Sequence, residues 1–182
     1  SKRFGFSRVI ECDMLSDLIN MAKDLGFMDI GLSRPERPLY FDRFYAWIGD
    51  HKNARMSWLE RNLELREDPS KLLEGCRTII SFAYPYPSRK PETPDGFTVS
   101  RYSQPNQDDY HYRLKRSCRV LEEMIKDTYP GSHSKICVDS APILEKSFAT
   151  SSGMGFMGKN NMLIIPGYGS YFYLAEILTT AP

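Results

Sequence analysis

The run Met162-Leu163-Ile164-Ile165-Pro166-Gly167-Tyr168-Gly169-Ser170-Tyr171-Phe172-Tyr173-Leu174-Ala175-Glu176-Ile177-Leu178 decides the fold class. Two apolar segments, 162–165 and 170–178, flank a Pro-Gly-Tyr-Gly turn, so strands arrive here as a neighbouring pair. Upstream, Thr78-Ile79-Ile80-Ser81-Phe82-Ala83-Tyr84 is β-rich and long enough for a central strand, and 27–32 and 135–138 read as shorter ones. Helical spacing lies between them. Leu15, Leu18, Ile19, Ala22 and Leu25 mark a helix over 13–25 with Gly26 just past its end. Residues 40–65 read as one or two amphipathic helices, and 141–151 as another. The longest helix is expected over 108–127, with Leu114, Cys118, Leu121, Met124 and Ile125 as its buried stripe and Pro130-Gly131 as its stop. Helices that interleave with strands, some of which come in adjacent pairs, predict an α+β domain: a mixed sheet flanked by helices.

The rest of the composition narrows the function classes. A chain of 182 residues suits one ordinary domain, here 1–182, and a 41% apolar, 26% charged make-up excludes disordered and fibrous classes. No apolar run approaches the roughly 20 residues that span a bilayer, so no membrane role is expected. With 24 basic against 23 acidic side chains, the net charge of +1 provides no global field for nucleic acid. Any such contact must be local, and Arg113, Lys115, Arg116 and Arg119 form either a solvated helix face or a phosphate-contacting patch. Residues 84–96 carry Pro85, Pro87, Pro91 and Pro94 and must be irregular.

Cys12, Cys76, Cys118 and Cys137 form no C-x-x-C pair, and His51, His111 and His133 lie far apart in sequence. Zinc spacings are therefore absent, no metal ligand set is expected in this chain, and the cysteines read as reduced, mostly buried thiols of a cytoplasmic protein. The glycine loop 153–158 matches G-x-G-x-x-G, but a helix precedes it and a strand follows. A phosphate cradle needs the opposite order, so nucleotide binding is disfavoured. The glycines either supply positive φ in a tight connection or let the backbone approach a large flat ligand. Asp108 and Asp109 suit the first turn of a helix through its dipole, and His111 reads as an ordinary hydrogen-bonded histidine. Asp139 stands where an apolar strand meets Ser140-Ala141-Pro142. It reads either as a helix N-cap or as a carboxylic acid facing a cleft, where burial would raise its pKa and keep a proton to donate.

Taken in order, several segments resemble one family. They are Cys137-Val138-Asp139-Ser140-Ala141-Pro142-Ile143-Leu144-Glu145, the loop Gly153-Met154-Gly155-Phe156-Met157-Gly158-Lys159-Asn160, and Tyr168-Gly169-Ser170-Tyr171-Phe172-Tyr173-Leu174-Ala175-Glu176. Supporting matches are Leu65-Arg66-Glu67-Asp68-Pro69, Ala83-Tyr84-Pro85, Ser100-Arg101-Tyr102 and Asp109-Tyr110-His111. Together they resemble the cobalamin-binding part of epoxyqueuosine reductases, over nearly the whole chain.

The resemblance implies a nitroreductase-like domain that holds base-off cobalamin and is related to reductive dehalogenases. It implies reduction of epoxyqueuosine to queuosine at the tRNA wobble position, with Asp139 as proton donor. Cofactor contacts then fall on Arg66, Ser100, Asp139, Leu163, Ile165 and Leu174, and Lys146 falls near the tRNA. Electrons are expected through two 4Fe-4S clusters held by cysteines beyond residue 182, which the four cysteines here cannot replace. The apolar end of the chain, 174–182, is read as a cut between domains of a longer protein, expected to be monomeric. Two other classes fit the same segments. One is a cobalamin-dependent reductase of another small electrophile, such as an organohalide; the other is a non-catalytic corrinoid-binding module.

Overall fold

Strand β6 (Phe172–Thr179) organises the molecule, because its two faces are both needed. Tyr173, Ala175 and Ile177 on one face, and Leu174, Glu176 and Leu178 on the other, alternate with the period of a strand. In this computed structural model, which describes residues 4–91, 93, 95–103 and 109–182 (side chains from Met14 onward), helices cover both faces. Helix α1 (Phe4–Asp24) and the long helix α4 (Tyr110–Thr128) bury Leu18, Ala22, Leu114, Cys118, Leu121 and Ile125 against Ile80, Phe82, Ala175 and Ile177. Helix α5 (Glu145–Ser151) buries Phe148 and Ala149 against Ile79, Ala83 and Leu178 on the opposite face. An apolar strand that must satisfy two cores explains why 172–179 reads as a nearly continuous hydrophobic run.

The sheet has the order β1-β2-β6-β3, with β1 (Asp29–Ser33), β2 (Thr78–Pro85) and β3 (Ser134–Cys137) joining β6. Register pairs Ile80 with Ile177 and Phe82 with Ala175 on the α1/α4 face, and Ser81 with Glu176 on the α5 face. Cys137 pairs with Glu176 from the other side. Between β1 and β2 the chain makes α2 (Phe41–Gly49) and α3 (Leu63–Glu67) with short 3₁₀ turns. No helix among the described residues is long and apolar enough to cross a membrane.

The α+β class holds, but the mixed sheet does not: among the described residues every bonded strand pair is antiparallel. The physical reason is the late arrival of β6. The segment β2–α4–β3 carries its two strands in the same direction, as a sequence of strand, helix, strand suggests. They never bond, because β6 inserts between them and runs against both. Two local expectations also change. Helix α5 starts at Glu145 rather than near 141, since 138–144 is an irregular turn that buries Val138 and Ile143. The glycine loop contains strand β4 (Phe156–Met157), which forms a hairpin with β5 (Leu163–Ile164).

Gly155 shows what that hairpin needs. A Cβ there would meet the carbonyl oxygen of Ile164 at 2.2 Å, so the glycine serves a backbone-to-backbone approach within the chain. At Gly158 the space is filled by Asn160 and Ile164. Approach to an external flat ligand is not what these two glycines permit. The helix-before-strand order around 153–158 is as the sequence indicated. The expected helix residue Asp108, the proline Pro94 and the side chain of Cys12 lie outside the described residues.

Candidate active site

The turn after β3 places a carboxylate at the mouth of a cleft. Asp139 has φ 55°, in the left-handed region, and its side chain is 60% exposed. It does not cap α5, whose N-cap position is Leu144, so the capping role is excluded by where the helix begins. The apolar enclosure expected around Asp139 is not found either, because the turn projects the carboxylate outward from the end of the sheet.

Two side chains converge on this carboxylate. The Tyr110 hydroxyl donates to Oδ2 at 2.6 Å, and His111 Nε2 stands 3.2 Å from the same oxygen. Both come from the first turn of α4, which Asp109 caps by accepting the His111 backbone N–H at 2.9 Å. Asp109 also meets His111 Nδ1 at 2.6 Å, so the ring bridges two carboxylates. The His111 amide and then its ring hold the Asp109 carboxyl below the usual carboxylate range. Burial, followed by the bond to Asp139, pushes the Tyr110 phenol far up, so it stays protonated and donates. Tyr110 stacks on His111 and on Tyr173, with ring centroids 4.0 and 4.3 Å apart, which fixes the donor's direction.

Behind Asp139 lies a second acid. Its backbone N–H donates to Glu145 Oε1 at 2.8 Å. Glu145 opens α5 and adjoins Glu176 of β6, whose side chain is fully buried. Burial pushes the Glu145 carboxyl up to about 7, and pushes Glu176 well above its usual range.

The cleft itself has a volume of about 260 Å³. Its lining mixes polar side chains, Asp139, Tyr110, Glu145, Lys146 and Ser170, with the apolar Met162, Leu163, Phe172 and Leu174 and the rings of Tyr86 and Tyr173. Tyr86 and Tyr173 pack at 4.4 Å, and burial raises both phenols.

Of the residues singled out from sequence, Asp139, Lys146, Leu163 and Leu174 are brought together here. Lys146 Nζ donates to the Asn161 carbonyl at 2.8 Å, and burial lowers its pKa. Ile165 is 2% exposed and packs in the core beneath the hairpin, outside the lining. Ser100 is exposed in an irregular segment and is not among the lining residues. Arg66 stands on α3 and is not among the lining residues, though its charge acts on Glu145; its buried Nε has no partner among the described residues. Sequence reasoning treated Tyr110 and His111 as a helix start, and gave Glu145 and Glu176 no role. The available signal was their place in the family-like segments: Asp109-Tyr110-His111 for the first two, and the last residues of 137–145 and 168–176 for Glu145 and Glu176.

Comparison with known proteins places this geometry among relatives. The family described as epoxyqueuosine reductase QueG, DUF1730, matches residues 66–140. An epoxyqueuosine reductase of Leadbetterella byssophila is 30% identical over 93% of this chain and 56% of its own length. That of Escherichia coli K12 is 32% identical over 87% of this chain and 43% of its own. The chain thus spans about half the length of these curated relatives.

Solved structures agree. The Bacillus subtilis epoxyqueuosine reductase with its catalytic aspartate loop swung out of the active site superposes with a TM-score of 0.76 at 28% identity, over 93% of this chain and 46% of that one. An epoxyqueuosine reductase with an epoxyqueuosine-modified tRNA stem loop gives 0.75 at 29% identity, over the same shares. A reductive dehalogenase, whose structure suggests a mechanism for B12-dependent dehalogenation, gives 0.50 at 14% identity over 90% of this chain and 19% of its own, a likeness of fold alone.

Proposed function

Because the chain belongs to the epoxyqueuosine reductase family, as the counterpart of its members' N-terminal region, we propose that it is the cobalamin-binding catalytic part of an enzyme that reduces epoxyqueuosine in tRNA to queuosine. The observation that carries this reading is the Asp139 carboxylate, presented by the β3–α5 turn in an open cleft whose lining also carries Met162, Leu163, Phe172 and Leu174. The nitroreductase-like kinship of the fold is part of the same reading.

The cleft fits a corrin in its chemistry. A flat macrocycle with a polar amide fringe needs an apolar face on one side and hydrogen-bonding groups at its rim. Met162, Leu163, Phe172 and Leu174 offer the first, and Ser170, Tyr110 and Lys146 the second. The unpartnered Nε of Arg66 adds a donor with spare capacity outside the lining. When bound, cobalamin supplies the electrons that open the epoxide C–O bond.

The chain's own residues manage the proton. An alkoxide is a poor leaving group until protonated, so a donor must stand at the oxygen as the bond opens. In this reading Asp139 is the group that delivers that proton. Tyr110, kept protonated by its burial, orients Oδ2 through its 2.6 Å bond. His111, with Nδ1 tied to Asp109, has Nε2 3.2 Å from Oδ2 and is placed to return a proton after each turnover. Asp109 fixes the imidazole's orientation as a carboxylate partner does in other acid–base sites.

A supporting circumstance for a moving proton donor comes from the Bacillus subtilis relative, whose catalytic aspartate loop has a swung-out position. The 60% exposure of Asp139 leaves its carboxylate open to a substrate. The tRNA as partner rests on the relative solved with its stem loop, and Lys146 at the cleft is the cation offered to it. Electron delivery through 4Fe-4S clusters belongs, in this reading, to the part of the relatives that this chain does not span.

Cofactor binding is the first test. The 182-residue chain incubated with cob(II)alamin should give a base-off absorption spectrum. ATP and NAD should not compete, because the glycine turn forms a hairpin rather than a phosphate cradle. Absence of any corrinoid complex, or tight nucleotide binding lost with Lys159→Ala, would remove the reading. Conversion of an organohalide but not of epoxyqueuosine-tRNA by the full-length protein would select the dehalogenase-like alternative. Binding without any turnover at full length would select a corrinoid-holding module.

A further inference from the structure

We propose that Glu145 and Glu176 act as one buried, proton-sharing carboxyl pair that positions Asp139, with Glu145 Oε1 gripping the Asp139 backbone N–H and Glu176 seating Glu145 from the sheet. Its meaning for catalysis rests on the proton-donor reading of Asp139; its geometry does not.

Glu176 is the least expected residue in the core. It sits in the middle of β6, pairs across the sheet with Ser81 and Cys137, and is 0% exposed. Neither of its carboxyl oxygens meets an N–H or hydroxyl donor among the described residues. What it faces is Glu145, which is half-buried and whose other side lines the cleft. Two ionised carboxyls cannot share such a place, so a proton must lie between them. Glu176, the deeper of the two, keeps it and donates to Glu145. Glu145 is then an acceptor on both sides, and its outward oxygen takes the Asp139 N–H at 2.8 Å.

That outward bond has a task. A non-glycine residue at φ 55° holds the left-handed conformation only where the surroundings over-determine it. The Glu145 bond is the side-chain tie on the Asp139 backbone, and it turns the aspartate carboxylate toward Tyr110 and His111. The pair therefore works as a latch on the turn: the sheet holds Glu176, Glu176 holds Glu145, and Glu145 holds Asp139.

Several charged or titratable groups face the pair. Arg66 approaches from α3 and Lys146 follows Glu145 on α5. From α4 come His111, Tyr110 and, across the sheet, the buried thiol of Cys118, and Asp139 itself stands beside Glu145. Cys137 of β3 adjoins Glu176, and burial pushes both thiols up to about 12, so neither changes charge near neutrality. Burial places the Glu145 titration near 7.

The test reads the latch directly. In the ¹⁵N-labelled 182-residue chain, the amide resonance of Asp139 is followed from about pH 5 to about pH 9. It is expected to shift with a midpoint near 7, reporting Glu145. The shift should persist at residue 139 in Asp139→Asn and in His111→Gln, which remove the other nearby titrating side chains, and should vanish in Glu145→Gln. Glu176→Met removes the donor to ionised Glu145 and should raise the midpoint by at least about half a pH unit, and Glu176→Gln should restore it. A flat amide in the wild type, or a titration that survives Glu145→Gln, overturns the proposal.

The full-length enzyme provides a second readout. Glu145→Leu should lower kcat by about tenfold or more with KM little changed, and Glu145→Gln, which still offers a carbonyl to the Asp139 N–H, should recover most of the loss. Where Glu145→Leu does not fold, the amide titration decides alone. The two readings fail separately. A titrating amide with full turnover in Asp139→Asn would leave the latch and remove the proton donor. A flat amide with an inactive Asp139→Asn would do the reverse.

Discussion

Asp139 owes its place to three neighbours that no sequence spacing joins. Tyr110 and His111 lie at the start of α4, Glu145 at the start of α5, and the fold brings both helix starts to one turn. Its position at the end of an apolar strand was legible, but Asp139-Ser140-Ala141-Pro142 read as a helix N-cap as well as an acid at a cleft, and only the family resemblance singled the residue out. Its geometry was not legible. Pro142 looks like the first residue of a helix, yet the helix begins three residues later, once Ile143 has been buried. Two outcomes follow at this scale. Tyr110→Phe removes the hydroxyl that orients Asp139 and, on the proposed function, should lower kcat/KM of a full-length protein by about 2–10-fold, in line with a hydrogen bond of roughly 0.5–1.5 kcal/mol. Gly155→Ala drives a methyl into the Ile164 carbonyl and should cost about 1–3 kcal/mol, measured by urea unfolding.

The elements were mostly legible, and their pairing was not. The α4 stripe of Leu114, Cys118, Leu121 and Ile125 is buried as the helical spacing indicates, because one face of a long amphipathic helix must meet the sheet. Apolar runs at 78–84 and 170–178 likewise became β2 and β6. The mixed sheet failed because periodicity carries no information on which strand will lie next to which; β6, last in the chain, separates β2 from β3. Leu121 is fully buried between α4 and this sheet. Leu121→Ala should therefore destabilise by about 2–5 kcal/mol, and a loss under about 1 kcal/mol would contradict the packing described. Gly31 in β1 has a parallel role on the other face, where a Cβ would meet the Ser152 side chain at 2.1 Å, so this strand can approach α5 only without one.

At the scale of the whole molecule, the buried acid pair links folding to pH. Both Glu145 and Glu176 have folded-state pKa values raised above the ordinary 4.5, Glu145 to about 7. Between those values the native chain binds more protons than the unfolded chain, so stability falls as pH rises from about 4.5 through about 7, and goes on falling above it while Glu176 holds its proton. Asp42, Asp50 and Asp109 are shifted below 3.8 and act in a lower window, where stability is lost as pH falls. Thermal melts of the chain between about pH 5 and 8 should show a falling Tm, and Glu176→Gln should lessen the fall by the share of Glu176 alone, since an amide releases no proton while Glu145 still titrates. A Tm that rises across that range would contradict the buried pair.

The account as a whole turns on whether Asp139 delivers a proton. The most direct measurement is conversion of epoxyqueuosine-tRNA by a full-length protein carrying this region, wild type against Asp139→Asn, both loaded with cobalamin and intact clusters and both checked for unchanged Tm. Asparagine keeps the side chain's shape and can still hydrogen-bond with Tyr110 and His111, but it has no acid proton to give. A stable, cofactor-replete variant slowed by about 10²–10⁴-fold is expected, the usual cost of losing a general acid. A variant within about threefold of the wild-type rate would contradict the account.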